Sequence, residues 1–121
     1  MKDSNFKWDI AGLKKVDNKM IEALGKSAYV LQDDIREAQV IPRDVGTLQG
    51  EAFYVDTETA RQGYVTLGFN TPYARRLYFH PEYNFSTAEN PNAQGEWMRH
   101  WLKGGKYEKR FSQIFDALLK L

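Results

Sequence analysis

The apolar residues of this chain change their spacing partway along it, and that change constrains the fold more than any other feature. From about Leu13 to Ala38, Val16, Met20, Leu24, Leu31 and Ile35 recur at helical spacing. Ile21 and Ala28 widen that stripe, and Asp17, Glu22, Asp33, Asp34 and Glu37 take the other faces. From Glu51 the period drops to two. Phe53 and Val55 alternate with Ala52 and Tyr54, then Val65, Leu67 and Phe69 alternate with Tyr64 and Thr66. Side chains repeating every 3.6 residues share one helix face, whereas alternate side chains share one sheet face. The pattern therefore predicts a long helix followed by an antiparallel hairpin closed by the polar connector 57–63. Pro42 ends the helix, and Pro42-Arg43-Asp44-Val45-Gly46 reads as a turn.

The flanks extend this scheme. Phe6, Trp8 and Ile10 alternate with Lys7 and Asp9, which predicts a short strand or arm on the sheet, broken by Gly12. Thr71-Pro72 opens a short helical turn in which Tyr73, Leu77 and Arg76 share a face, and His80-Pro81 ends it. Residues 82–95 read as a long polar loop. It holds two aromatics, Tyr83 and Phe85, that need somewhere to pack. Residues 84–94 are expected to be removable without unfolding the monomer. Trp97 and Trp101 stand four apart in a helical reading of 96–102, and Gly104-Gly105 interrupt the chain. Tyr107, Phe111, Ile114, Phe115 and Leu118 then form the apolar stripe of a C-terminal helix. Gly25, inside the long helix, is expected to admit a close neighbour. The fold class is α+β: one domain over residues 1–121, with a small, mainly antiparallel sheet packed against a long N-terminal helix and a C-terminal helix.

Bulk properties narrow the function. The chain has no cysteine, which excludes disulfides, thiolate metal sites and cysteine nucleophiles. It has no apolar run long enough to span a membrane, and its first nine residues lack the apolar stretch of a signal peptide. The expected location is a cytosol, or a particle assembled there. A net charge of +1 argues against a polyanion binder acting through total charge. Residues 1–60 nevertheless carry −3 and residues 61–121 carry +4, a polarity that suits stacking against unlike partners.

Few residues carry recognisable chemistry. His80 and His100 lie far apart without carboxylates at ligand spacing, so both read as structural and no metal site is expected. Asp33, Asp34 and Glu37 read as a solvated face, not an acid–base pair. No phosphate loop, nucleophile elbow or dinucleotide fingerprint occurs, and no catalytic residue or cofactor is expected. Arg75 and Arg76 among Tyr73, Tyr78 and Phe79 fit two chemistries: arginine–aromatic protein contact, or phosphate contact with base stacking. Trp97 and Trp101 fit an anchor in a core or interface, or an aromatic ligand platform.

Two motifs, in order and separated by a strand hairpin, resemble the neck proteins of long-tailed double-stranded DNA phages. These are the head–tail joining or tail completion proteins, often filed as minor capsid proteins. The first motif is Pro42-Arg43-Asp44-Val45-Gly46-Thr47-Leu48, with Val45 where the family usually has threonine. The second is Thr71-Pro72-Tyr73-Ala74-Arg75-Arg76-Leu77-Tyr78. His80-Pro81-Glu82-Tyr83-Asn84-Phe85 and Asn90-Pro91-Asn92-Ala93, followed by Trp97, are similar to a minor capsid subgroup from phages and prophages of Gram-positive bacteria.

The resemblance implies a non-enzymatic virion protein at the head–tail junction, assembled in the host cytoplasm. It implies a homo-oligomer, a hexameric ring between head stopper or adaptor proteins and tail tube or terminator proteins. DNA would pass through the ring without sequence-specific recognition, and no membrane is involved. The expected interface residues are Tyr73, Arg75, Arg76, Tyr78, Phe79, His80, Tyr83, Phe85, Trp97 and Trp101. Two other readings stay open. One is a nucleic-acid-binding module using Arg75, Arg76 and the nearby tyrosines, and the other is a small enzyme whose site forms only in three dimensions.

Overall fold

The structure is a computed structural model that describes residues 4–10, 16–42, 52–83, 85, 87 and 90–121, with the backbone alone at Ser4, Pro72 and Tyr73. Of the turn motif beginning at Pro42, only Pro42 falls within the described residues.

Strand β1 spans Ser4–Asp9, helix α1 Asn18–Glu37, strands β2 and β3 Phe53–Asp56 and Tyr64–Phe69, helix α2 Pro72–Tyr78 and helix α3 Arg110–Leu119. Helix α1 starts where Asp17 caps it, Oδ1 accepting the Met20 N–H at 2.8 Å. It stops at Gln39, whose φ of +57° is the left-handed turn that commonly closes a helix. The sheet has strand order β1-β3-β2 and is antiparallel throughout. The connector between β2 and β3 is a short 3-10 turn, Glu58–Gln62, closed by Gly63 at φ +95°.

Register follows the alternation. Phe53 and Val55 face Phe69 and Leu67 across one ladder, and Phe6 and Trp8 face Leu67 and Val65 across the other. These side chains share the inner face, where the Phe53 and Phe69 rings stack with centroids 4.5 Å apart. Onto that face α1 lays Leu24, Ala28, Leu31 and Ile35, all fully buried. Gln32 ties helix to sheet, Nε2 donating to the buried Phe53 carbonyl at 2.9 Å. Helix α3 runs against α1 through Phe111, Ile114 and Phe115, and Phe111 reaches Trp8 of β1 at 6.1 Å. A small sheet, a long N-terminal helix and a C-terminal helix thus enclose one core.

Two local expectations need correction. Residues 96–102 are not an α-helix: Glu96 sits at φ +45°, turns follow, and only Arg99–Trp101 forms a 3-10 turn. The Glu96 N–H is spent on the Tyr78 carbonyl at 2.8 Å, which turns the next residue, Trp97, into the core beside α2. The C-terminal helix begins at Arg110, so Tyr107 lies outside it. Its N–H donates to the His100 carbonyl at 2.6 Å, which holds Tyr107 in the connection.

Candidate interaction surface

Helix α2 leaves the sheet directly after β3, and the chain behind it divides the expected interface residues into a buried set and an exposed set. Tyr78, Trp97 and Trp101 are buried. Trp97 stands edge-on to Phe69 at 5.4 Å and to Tyr78 at 4.9 Å, at the junction of sheet and α2. Among the described residues its Nε1 has no hydrogen-bond partner, and the indole is held there by its ring contacts. Burial, with Glu96 adding to it, pushes the Tyr78 phenol up to about 12. Trp101 packs at 5.5 Å against Tyr107 in a separate group with His100. These three aromatics shape the surface from beneath it.

The exposed set gathers at the end of α2. Arg75 and Arg76 are exposed on the helix, and Phe79 is 57 % exposed just beyond it. The Arg75 guanidinium lies over the Phe79 ring at 5.4 Å, and Phe79 meets Tyr78 edge-on at 5.1 Å. His80 follows, its ring stacked on Tyr83 at 4.7 Å and nearly parallel, with Nδ1 at 2.7 Å from Glu82 Oε2. That hydrogen bond holds the Glu82 carboxyl below its usual range. Phe85 is half-buried, 6.3 Å from Tyr83. The side chain of Tyr73 lies outside the described part. The α2 end thus presents two arginines, an exposed phenylalanine and a stacked histidine–tyrosine pair side by side. An arginine–aromatic surface of this kind suits protein contact.

The second half of the long loop is structural. Asn90 is buried and its Nδ2 donates to the Ile41 carbonyl at 2.7 Å. Asn92 Nδ2 donates to the Ala38 carbonyl at 2.9 Å, and the Gln94 N–H to the Val40 carbonyl at 3.0 Å. Together they satisfy three carbonyls of the segment that follows α1, at Ala38, Val40 and Ile41. Residues 90–94 therefore cannot be removed as a free loop. Asn84, Ser86, Ala88 and Glu89 lie outside the described residues.

Beside this seam lies a polar cleft of about 500 Å³ with Glu37, Asn92, Gln94, Arg99, His100 and Tyr107 on its walls. His100 faces Gln94 across 3.2 Å, and its imidazole is held below the ordinary histidine value by burial first, then by Arg99 and Lys106. Sequence reading passed over the cations of this region. Their signal was a run of Lys and Arg between 99 and 110, interrupted by a single acid. Among the described residues no three histidine or carboxylate side chains converge as a metal site requires. Comparison with known proteins found no matching family model, no matching curated protein and no matching solved structure.

Proposed function

We propose that this chain is a non-enzymatic assembly subunit of a long-tailed phage virion, one copy of a hexameric ring that joins head to tail around the DNA passage. The observation that carries the reading is the exposed arginine–aromatic cluster at the end of α2. Phe79 is more than half exposed beside Arg75 and Arg76, next to the His80–Tyr83 stack. Apolar surface left in water has a cost, and arginine–aromatic surfaces are where protein contacts concentrate their binding energy. The two motifs of the sequence support the same reading, since Thr71-Pro72-Tyr73-Ala74 opens the helix that ends in this cluster.

A ring follows from one patch meeting a different surface on the next copy, repeated until the rotation closes. Buried Tyr78, itself packed on Trp97, backs the exposed Phe79 ring from the core side, and a contact surface backed in this way has a lower ordering cost on binding. The ring's faces would then engage stopper or adaptor proteins on the head side and tube or terminator proteins on the tail side. Its place would be the virion, reached from the host cytoplasm.

The test is electron microscopy of particles made by a host whose copy of the gene is deleted. Filled heads and separate tails, rejoined when the gene is supplied in trans, are the expected result. Intact tailed particles from the deletion would overturn the reading.

A further inference from the structure

The positive excess of the second half of the chain is confined to one short segment. Residues 97–110 hold Arg99, Lys103, Lys106, Lys109 and Arg110 against Glu108 alone, a net +4 that equals the excess of residues 61–121. Arg110 is committed to Asp34, with Nε and Nη2 at 2.5 and 3.3 Å from its two oxygens. The other four cations are exposed, and among the described residues none of them is in an ion pair. Glu108 accepts the Gly104 N–H at 3.3 Å within the loop.

The segment is shaped and not a loose tail. Gly104 sits at φ +87°, and a β-carbon on Gly105 would collide with the carbonyls of Arg99 and His100. Buried Trp101 anchors it from below. Arg99, Lys103 and Lys106 border one shallow hollow of about 350 Å³, and Lys106 and Lys109 border a second of about 280 Å³. Lys106 is common to both hollows, so the four cations lie along one continuous stretch of surface.

This patch differs in kind from the α2 cluster. Protein interface cores are depleted in lysine and enriched in arginine and aromatics, as at α2. Lysine supplies mobile point charges suited to phosphates in no fixed arrangement. We propose that Arg99, Lys103, Lys106 and Lys109 form a sequence-independent site for the phosphate backbone of nucleic acid. The site goes beyond the joining role and does not depend on it, because backbone binding is read on the isolated protein and joining is read on particles.

The experiment is fluorescence anisotropy of a labelled random-sequence DNA duplex with the full chain across a salt series. Four phosphate contacts give a log–log salt slope of about −3.6, or roughly a hundredfold loss of affinity between 50 and 200 mM salt. The triple variant K103Q/K106Q/K109Q should retain its thermal midpoint and show a slope near −1, about one contact's worth. R75Q/R76Q should bind as the parent does. Absence of salt-dependent binding overturns the proposal, as does loss of the slope in R75Q/R76Q instead of the lysine variant. Equal displacement by polyglutamate, charge for charge, would also overturn it and assign the patch to an acidic protein surface.

Discussion

The Tyr54 side chain lies across Gly68, its partner in the β2–β3 register, so closely that a β-carbon on residue 68 would run into the phenol ring. On the outer face of the sheet the tyrosine covers backbone that glycine leaves bare, and the two residues serve as one packed unit. Gly68→Ala should therefore cost about 1–3 kcal/mol, because the ring must swing off the sheet. In a Tyr54→Ala background the same change should become favourable by about 0.5–1 kcal/mol, since alanine loses less backbone freedom than glycine. Urea unfolding of the four proteins in this cycle measures the coupling. Equal costs in both backgrounds would refute it.

Gly25 has the opposite character. A β-carbon there would meet the Thr57 side chain at 3.8 Å, an ordinary contact. Gly25→Ala should stabilise the chain by about 0.5–1 kcal/mol through helix propensity and that added contact. A rise in the urea midpoint with unchanged slope is the expected reading.

Asn90 tests whether the second half of the long loop belongs to the fold. Its amide satisfies the Ile41 carbonyl in a buried position. Asn90→Ala should cost about 1–3 kcal/mol by orphaning that carbonyl. Were residues 90–94 a detachable loop, the cost would be near zero in the same unfolding assay.

Tyr78 sets an alkaline limit. Burial, with Glu96 adding to it, pushes its phenol up to about 12, against 10.0 for an exposed tyrosine. The folded state therefore holds a proton that the unfolded chain releases first, and stability present below pH 10 is lost as pH rises from 10 toward 12. That displacement corresponds to at most about 2.7 kcal/mol. Denaturation curves between pH 8 and 11.5 should show this decline, and Tyr78→Phe should flatten it.

Much of the fold was legible because each main element carries a clean hydrophobic period. Val65, Leu67 and Phe69 alternate without interruption and are the central strand, and the α1 stripe through Leu24, Leu31 and Ile35 is the buried face. Residues 96–102 misled because two tryptophans four apart imitate a helix. The deciding event is a tertiary hydrogen bond from Glu96 to Tyr78, which no local pattern encodes. The loop ties of Asn90 and Asn92 were equally hidden, as both partners are carbonyls about fifty residues earlier in the chain. In the candidate surface, composition picked out the aromatic and basic residues but could not sort them. Phe79 and Tyr78 are neighbours in sequence, yet one faces water and the other the core.

The central claim is that the exposed cluster at the end of α2 joins virion parts. The direct measurement is complementation of the gene deletion by a Phe79→Ser/Tyr83→Ser variant, with tailed particles counted by electron microscopy. Both side chains are exposed, so the purified variant should keep its thermal midpoint within a few degrees. The account predicts a folded protein that leaves heads and tails unjoined. Wild-type numbers of tailed, infectious particles from that variant would contradict it.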